Sequence, residues 1–221
     1  MDKHFRFSAI LLAISFSMLS FTTSISASER KINMNQHWKF YHGCIANAEQ
    51  PSFNDSGWRV LDIPHDWSVE PLPVQREGIT IGPFSRMSIG GPDTGQTVGG
   101  EGWYRKELIL QPGDTDKILS LYFEGAYNQT EVWINGQKAC FNAYGYIPFR
   151  IDINKYCNAP GIPNTIAVKV INEGLNSRWY AGSGIYRHVW LIKTDKVHLD
   201  EWDTFVDASK AVSYTHLTLP T

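Results

Sequence analysis

The sequence predicts an all-β protein of packed antiparallel sheets. Three observations carry that reading. Apolar and polar positions alternate in one run after another, an Asn135-Gly136 pair separates two such runs, and no 3.6-residue apolar repeat lasts three turns beyond residue 27.

The elements follow in order. Trp103 to Leu110 and Lys117 to Phe123 alternate and are rich in aromatic and branched residues, as a half-buried strand requires. Glu131 to Ile134 runs into Asn135-Gly136, a hairpin signal because both residues tolerate positive φ. Pro148 to Ile153, Thr165 to Ile171 and His188 to Ile192 continue the pattern, with Gly- or Asn-rich punctuation between them. The segment from Glu70 to Gly102 breaks it, with eight glycines, four prolines and few large apolar residues. A loop of that length is either a mobile excursion or part of a ligand cleft.

Composition narrows the function classes. The chain has 221 residues, 20 basic side chains against 22 acidic ones, and a formal net charge of −2. No bulk field would draw in nucleic acid or an anionic membrane. With 43% hydrophobic and 13% aromatic residues, enough apolar surface exists to offset the entropy of ordering. Cys44, Cys140 and Cys157 are the three cysteines, so at least one thiol stays unpaired; one disulfide is possible, with three pairings open. No Cys/His spacing resembles a zinc site, so no metal ligand is expected.

The two termini read differently from the body. Residues 1–27 have Lys3 and Arg6 before an apolar run from Phe7 through Leu19 and small residues at Ser24-Ile25-Ser26-Ala27, the layout of a secretory signal. That implies a periplasmic or secreted protein. The apolar run is shorter than the roughly 20 residues of a bilayer crossing, and no later stretch would span a membrane. Residues 28–196 read as one domain, 197–210 as the start of a second, and 211–221 resemble the translation of a sequencing adapter.

Several residues invite chemistry but suit structure. Trp133 and Trp190 sit in strand patterns and are expected in the core. Gly182 and Gly184 flank Ser183 in a turn needing permissive backbone angles. Arg187, just before a strand, is expected to pair with a buried carboxylate or carbonyl. His65-Asp66, between Pro64 and Trp67, reads as a rigid loop in which Asp66 caps backbone amides rather than as an acid/base pair. The segment Asn176 to Tyr180 is the best candidate for ligand contact. An amide, a guanidinium and two amphipathic aromatics offer planar hydrogen-bonding groups for sugar hydroxyls and flat faces for C–H groups.

Four stretches carry a family resemblance. The first comprises Trp38-Lys39-Phe40-Tyr41, Phe53-Asn54-Asp55-Ser56-Gly57-Trp58 and Ile63-Pro64-His65-Asp66-Trp67. The second is Gly99-Gly100-Glu101-Gly102-Trp103-Tyr104-Arg105-Lys106. The third is Phe123-Glu124-Gly125-Ala126-Tyr127 leading to Val132-Trp133-Ile134-Asn135-Gly136, and the fourth runs from Asn176 through Arg187. In this order across residues 32 to 206 they resemble the N-terminal sugar-binding domain of glycoside hydrolase family 2, in its β-galactosidase branch.

The resemblance implies a jelly-roll-like antiparallel β-sandwich of the galactose-binding-domain kind, followed by an immunoglobulin-like domain and a catalytic (β/α)₈ barrel. It also implies substrate contacts from Asn128, Asn176 and Arg178, with Trp179 and Tyr180 beside them; the position after Phe123-Glu124-Gly125 falls at Tyr127 or Asn128. The carboxylate that some β-galactosidases use in the last loop is replaced here, near Arg178. The expected partners are a β-linked oligosaccharide or glycan and the chain's own downstream domains. No glutamate here lies in a motif resembling the family's catalytic pair, so cleavage with retention is expected of the intact enzyme and not of this piece. No cofactor is expected in this region, whereas magnesium or sodium serves some relatives. A free-standing carbohydrate-binding module or lectin-like sandwich is the alternative.

Overall fold

The computed structural model describes residues 30–70, 80–81, 84–85, 96–173, 181–200, 202 and 205. The signal segment, the tail 211–221 and most of 197–210 lie outside the described residues. So does most of the Gly/Pro-rich stretch.

The described residues form twelve strands: β1 Lys31–Asn33, β2 Trp38–His42, β3 Arg59–Leu61, β4 Thr80–Ile81, β5 Phe84–Ser85, β6 Gly100–Ile109, β7 Ile118–Phe123, β8 Gln129–Ile134, β9 Gln137–Asn142, β10 Phe149–Asp152, β11 Pro163–Asn172 and β12 Val189–Thr194. They form a four-stranded sheet in the order β1-β12-β7-β10 and a six-stranded sheet in the order β3-β2-β6-β11-β8-β9, while β4 and β5 pair with each other. Every strand pair is antiparallel. The all-β expectation therefore holds, and each expected strand is present within one to three residues of its ends.

The core follows from the side-chain period of two. The small sheet turns Leu119, Leu121, Phe123, Phe149, Ile151, Val189 and Leu191 inward. These meet Trp38, Phe40, Tyr104, Val132, Ile134, Ile166, Val168 and Val170 of the large sheet in one buried cluster. Phe123 and Phe149, opposite each other in register, stack with centroids 4.8 Å apart. The turn between β8 and β9 has φ of 51° at Asn135 and 78° at Gly136, as the hairpin signal requires.

Two tryptophans depart from expectation. Val132 and Ile134 take the inward positions of β8, so Trp133 between them faces outward and stacks on Trp103 at 5.4 Å. Trp190 likewise lies outside its sheet, donating to Glu124 Oε1 at 2.8 Å with Lys31 Nζ 4.7 Å from its ring centroid. Trp103 and Trp133 belong to a second apolar cluster with Ala48, Phe53, Trp58 and Ala167. That cluster seats the connection between β2 and β3 on the outer face of the large sheet. The three cysteines are free thiols.

Candidate functional site

One end of the sandwich brings together His65, Asp66 and Ser183 from two of the stretches that carry the resemblance. Its frame is the segment after β3. His65 N–H donates to Ile185 O at 2.8 Å and Trp67 N–H to Ser183 O at 3.1 Å, so residues 65–67 run alongside 183–185. Asp66 fastens the two: its Oδ1 accepts from Ser68 N at 2.9 Å, capping the short 3-10 turn Trp67–Val69, and from Ser183 N at 2.8 Å. This is the capping role expected of Asp66.

A chain of hydrogen bonds extends inward from that clasp. Asn172 Nδ2 donates to Ser183 Oγ at 2.7 Å and to Gly182 O at 2.9 Å. The Ser183 and Ser68 hydroxyls lie 2.5 Å apart, and Ser68 Oγ donates to Val98 O at 2.7 Å. Asn172 and Ser183 are buried, so each bond made here avoids an orphaned polar group. Trp67 Nε1 and His42 Nε2 both reach Gly99 O, at 3.0 and 2.9 Å. The Gly182 and Gly184 turn has φ of 76° and 118°, and a Cβ on Gly184 would stand 2.3 Å from the Tyr104 hydroxyl. Only glycine fits.

Beside the clasp stands a titratable group of three. His65 Nε2 lies 2.8 Å from Glu70 Oε1, and His65 Nδ1 lies 2.7 Å from the Tyr104 hydroxyl. An ionised carboxylate only accepts, so Nε2 carries the proton and Nδ1 accepts from Tyr104. Burial pushes the His65 pKa below its ordinary value despite Glu70. Burial opposes ionisation of Glu70, yet hydrogen bonds from Arg59 and His65 hold its carboxyl below the usual value. Burial raises the Tyr104 hydroxyl well above its ordinary range. His65 is therefore a neutral structural bridge at pH 7.

The expected contact residues fall as follows. Asn128 is half-buried and directly follows Tyr127, which exchanges two 2.9 Å backbone hydrogen bonds with Gly184. Asn176, Arg178, Trp179 and Tyr180 lie outside the described residues, in segment 174–180. The described chain on either side of that segment is drawn together by the Asn172–Gly182 bond. The structure thus brings Asn128 and both ends of segment 174–180 to one end of the sandwich. Arg187 does not pair as expected. It is exposed, with no carboxylate partner among the described residues, and its guanidinium lies 5.4 Å from the Tyr186 ring centroid. The buried Arg–carboxylate pair is instead Arg105–Asp55 at 2.8 Å.

Four tyrosines cluster here, and two of them, Tyr144 and Tyr146, were not anticipated. Tyr127, Tyr144 and Tyr146 pack in sequence with centroids 5.1 and 5.6 Å apart, and Tyr186 donates its hydroxyl proton to Gly145 O at 2.8 Å. Burial, with Tyr146 beside it, pushes the Tyr127 pKa up to about 12. Tyr144 and Tyr146 are 56% and 47% exposed, leaving aromatic surface next to Asn128. The available signal was Tyr144-Gly145-Tyr146, aromatics spaced around a residue small enough to let Tyr127 approach. Among the described residues no three His, Cys, Asp or Glu side chains converge to hold a metal.

Comparison with known proteins places this geometry. The model of the glycosyl hydrolases family 2 sugar-binding domain matches residues 34–195. A protein named β-galactosidase BoGH2A from Bacteroides ovatus is 41% identical over 189 residues, which is 85% of this chain and 21% of that protein. A β-glucuronidase from Formosa agariphila is 30% identical over 193 residues, 80% of this chain and 18% of that protein. A crystal structure of a family 2 glycosyl hydrolase from Bacteroides cellulosilyticus superposes with a TM-score of 0.74 at 40% identity, over 81% of this chain and 22% of that one. The chain spans about a fifth of the length of these relatives.

Proposed function

Because the chain belongs to glycosyl hydrolase family 2 through its sugar-binding domain, we propose that it forms the substrate-side wall of an exported β-galactosidase-like enzyme. The observation that carries this reading is the convergence of Asn128 with both ends of segment 174–180, locked by the Tyr127–Gly184 bridge and the Asn172–Gly182 bond. Asn128 and Asn176 would supply amides to sugar hydroxyls, and Trp179 and Tyr180 would face C–H groups. The buried clasp beneath fixes Tyr127, the neighbour of Asn128, and the described chain on either side of segment 174–180, and orienting a sugar for attack requires such a fixed frame.

Bond cleavage belongs, in this reading, to the larger remainder of the enzyme. There two carboxyl groups about 5 to 5.5 Å apart would act as nucleophile and acid/base with retention. The segment 1–27 would direct export to the periplasm or beyond, and any magnesium or sodium would be held outside this domain. The substrate is a β-linked galactoside at a glycan end. Arg178 supports a second reading, since a guanidinium favours a carboxylate-bearing sugar and some relatives are named β-glucuronidases.

The test is hydrolysis of aryl β-galactoside and aryl β-glucuronide by the full-length enzyme. We expect galactoside to be preferred, and Asn128→Ala or Asn176→Ala to raise KM several-fold with melting temperature unchanged. Preference for the glucuronide overturns the sugar assignment. Unaltered KM and kcat in both variants overturn the role of this end.

A further inference from the structure

A pocket of about 440 Å³ lies on the outer face of the large sheet, away from the end just described. Its walls include Lys39 of β2, Arg105 and Glu107 of β6, Thr165 of β11, and Phe53 and Asp55 from the connection between β2 and β3. The Gly99–Gly100 end of β6 belongs to the clasp. Glu107 stands seven residues further along, roughly 24 Å away at about 3.4 Å per residue. The two sites are separate.

The chemistry of the walls is mixed and already organised. Asp55 Oδ1 accepts from Lys39 Nζ at 2.6 Å and Oδ2 from Arg105 Nε at 2.8 Å. Arg105 Nη1 donates to Ala48 O and Gln50 O, and Lys106 Nζ donates to Gln36 O. Each of these three cations is thus anchored by at least one bond, and Lys39 and Arg105 are paired with Asp55. An anion entering it would compete with Asp55 and meet Glu107.

What remains unengaged suits a polyol. The Glu107 carboxylate and the Thr165 hydroxyl have no partner among the described residues, and Lys39 uses one of its three N–H donors. Phe53 and Pro51 add apolar surface to the wall. A pyranose needs acceptors and donors at close spacing together with an apolar wall for its C–H groups, in a cavity of 300 Å³ or more. We propose that this pocket is a second carbohydrate-binding site, for a neutral glycan chain, that tethers the enzyme to its polymer independently of the substrate-side end.

The test is affinity electrophoresis of the full chain in native gels containing galactan, xylan or β-glucan, with polygalacturonate as the acidic comparison. We expect retardation by at least one neutral polymer. Glu107→Gln and Thr165→Val, each altering a group with no partner among the described residues, should weaken it at least fivefold without altering the melting temperature. Asn128→Ala should leave it intact. No retardation by any neutral polymer, retardation by polygalacturonate alone, or loss through Asn128→Ala with Glu107→Gln silent would each overturn the proposal. Hydrolysis kinetics of the full-length enzyme read the other site separately, so failure of one reading is distinguishable from failure of the other.

Discussion

Two aspartates hold the two important surfaces of this molecule, and they do so differently. Asp66 at the end of the sandwich accepts from the backbone amides of Ser68 and Ser183, the second of them 117 residues away in sequence. Asp55 on the outer face binds Lys39 and Arg105, so the connection between β2 and β3 is latched to the sheet by charge. The clasp is rigid because it continues ladder-like backbone pairing. The latch is costly to break because the Arg105 side chain is only 4% exposed and has little water to fall back on.

The sharpest way to break that comparison is Asp55→Ala. It strands the Arg105 guanidinium beneath the β2–β3 connection, and we expect unfolding in urea to lose about 3–5 kcal/mol. The double variant Asp55→Ala, Arg105→Met should recover much of that loss. A loss under about 1 kcal/mol in the single variant would mean the latch is ornamental. Asp66→Ala ranks second, at about 1–3 kcal/mol, because it leaves two amides without their acceptor rather than a buried charge.

Acidification reaches His65 at the clasp first, and the carboxylates of both regions, Glu70 and Asp55, only at lower pH. Burial depresses the folded-state pKa of His65, so its contribution is fully present above the ordinary 6.5 and declines as pH falls below it. Burial resists ionisation of Asp55, but Lys39 and Arg105 outweigh it and hold its pKa below 3.8. Its contribution is present above 3.8 and is lost as pH falls through the lower folded value. Urea melts should therefore show one decline beginning between pH 7 and 6 and a further one below pH 4, and His65→Gln should abolish only the first.

Legibility of the sequence tracked the range of the interactions. The β8–β9 hairpin was readable because positive φ at Asn135 and Gly136 is a two-residue property. Asp66 as a cap was readable for the same reason, its first acceptor bond being only two residues away. Its second bond, to Ser183, was not. Trp133 and Trp190 were placed in the core on hydrophobicity, yet the period of two had already assigned their neighbours inward, and the outward rings found Trp103, Lys31 and Glu124 instead. Arg187 was expected to pair with a buried carboxylate or carbonyl, yet it is exposed, and a buried arginine–carboxylate pair forms between Arg105 and Asp55, fifty residues apart. Tyr144-Gly145-Tyr146 was a local signal, but its meaning depended on Tyr127 packing against Gly145 from a distant part of the chain.

The sequence by itself determined the all-β class, the positions of β6, β7, β8, β10, β11 and β12, the hairpin and the turn glycines, since these depend on side-chain period and on backbone angles within a few residues. Tertiary structure alone decided the sheet order, the meeting of Asn128 with the ends of segment 174–180, and the Lys39–Asp55–Arg105 pocket. Those arrangements depend on which strands pair across long separations, and pairing is settled by burial of whole faces at once rather than by any local pattern.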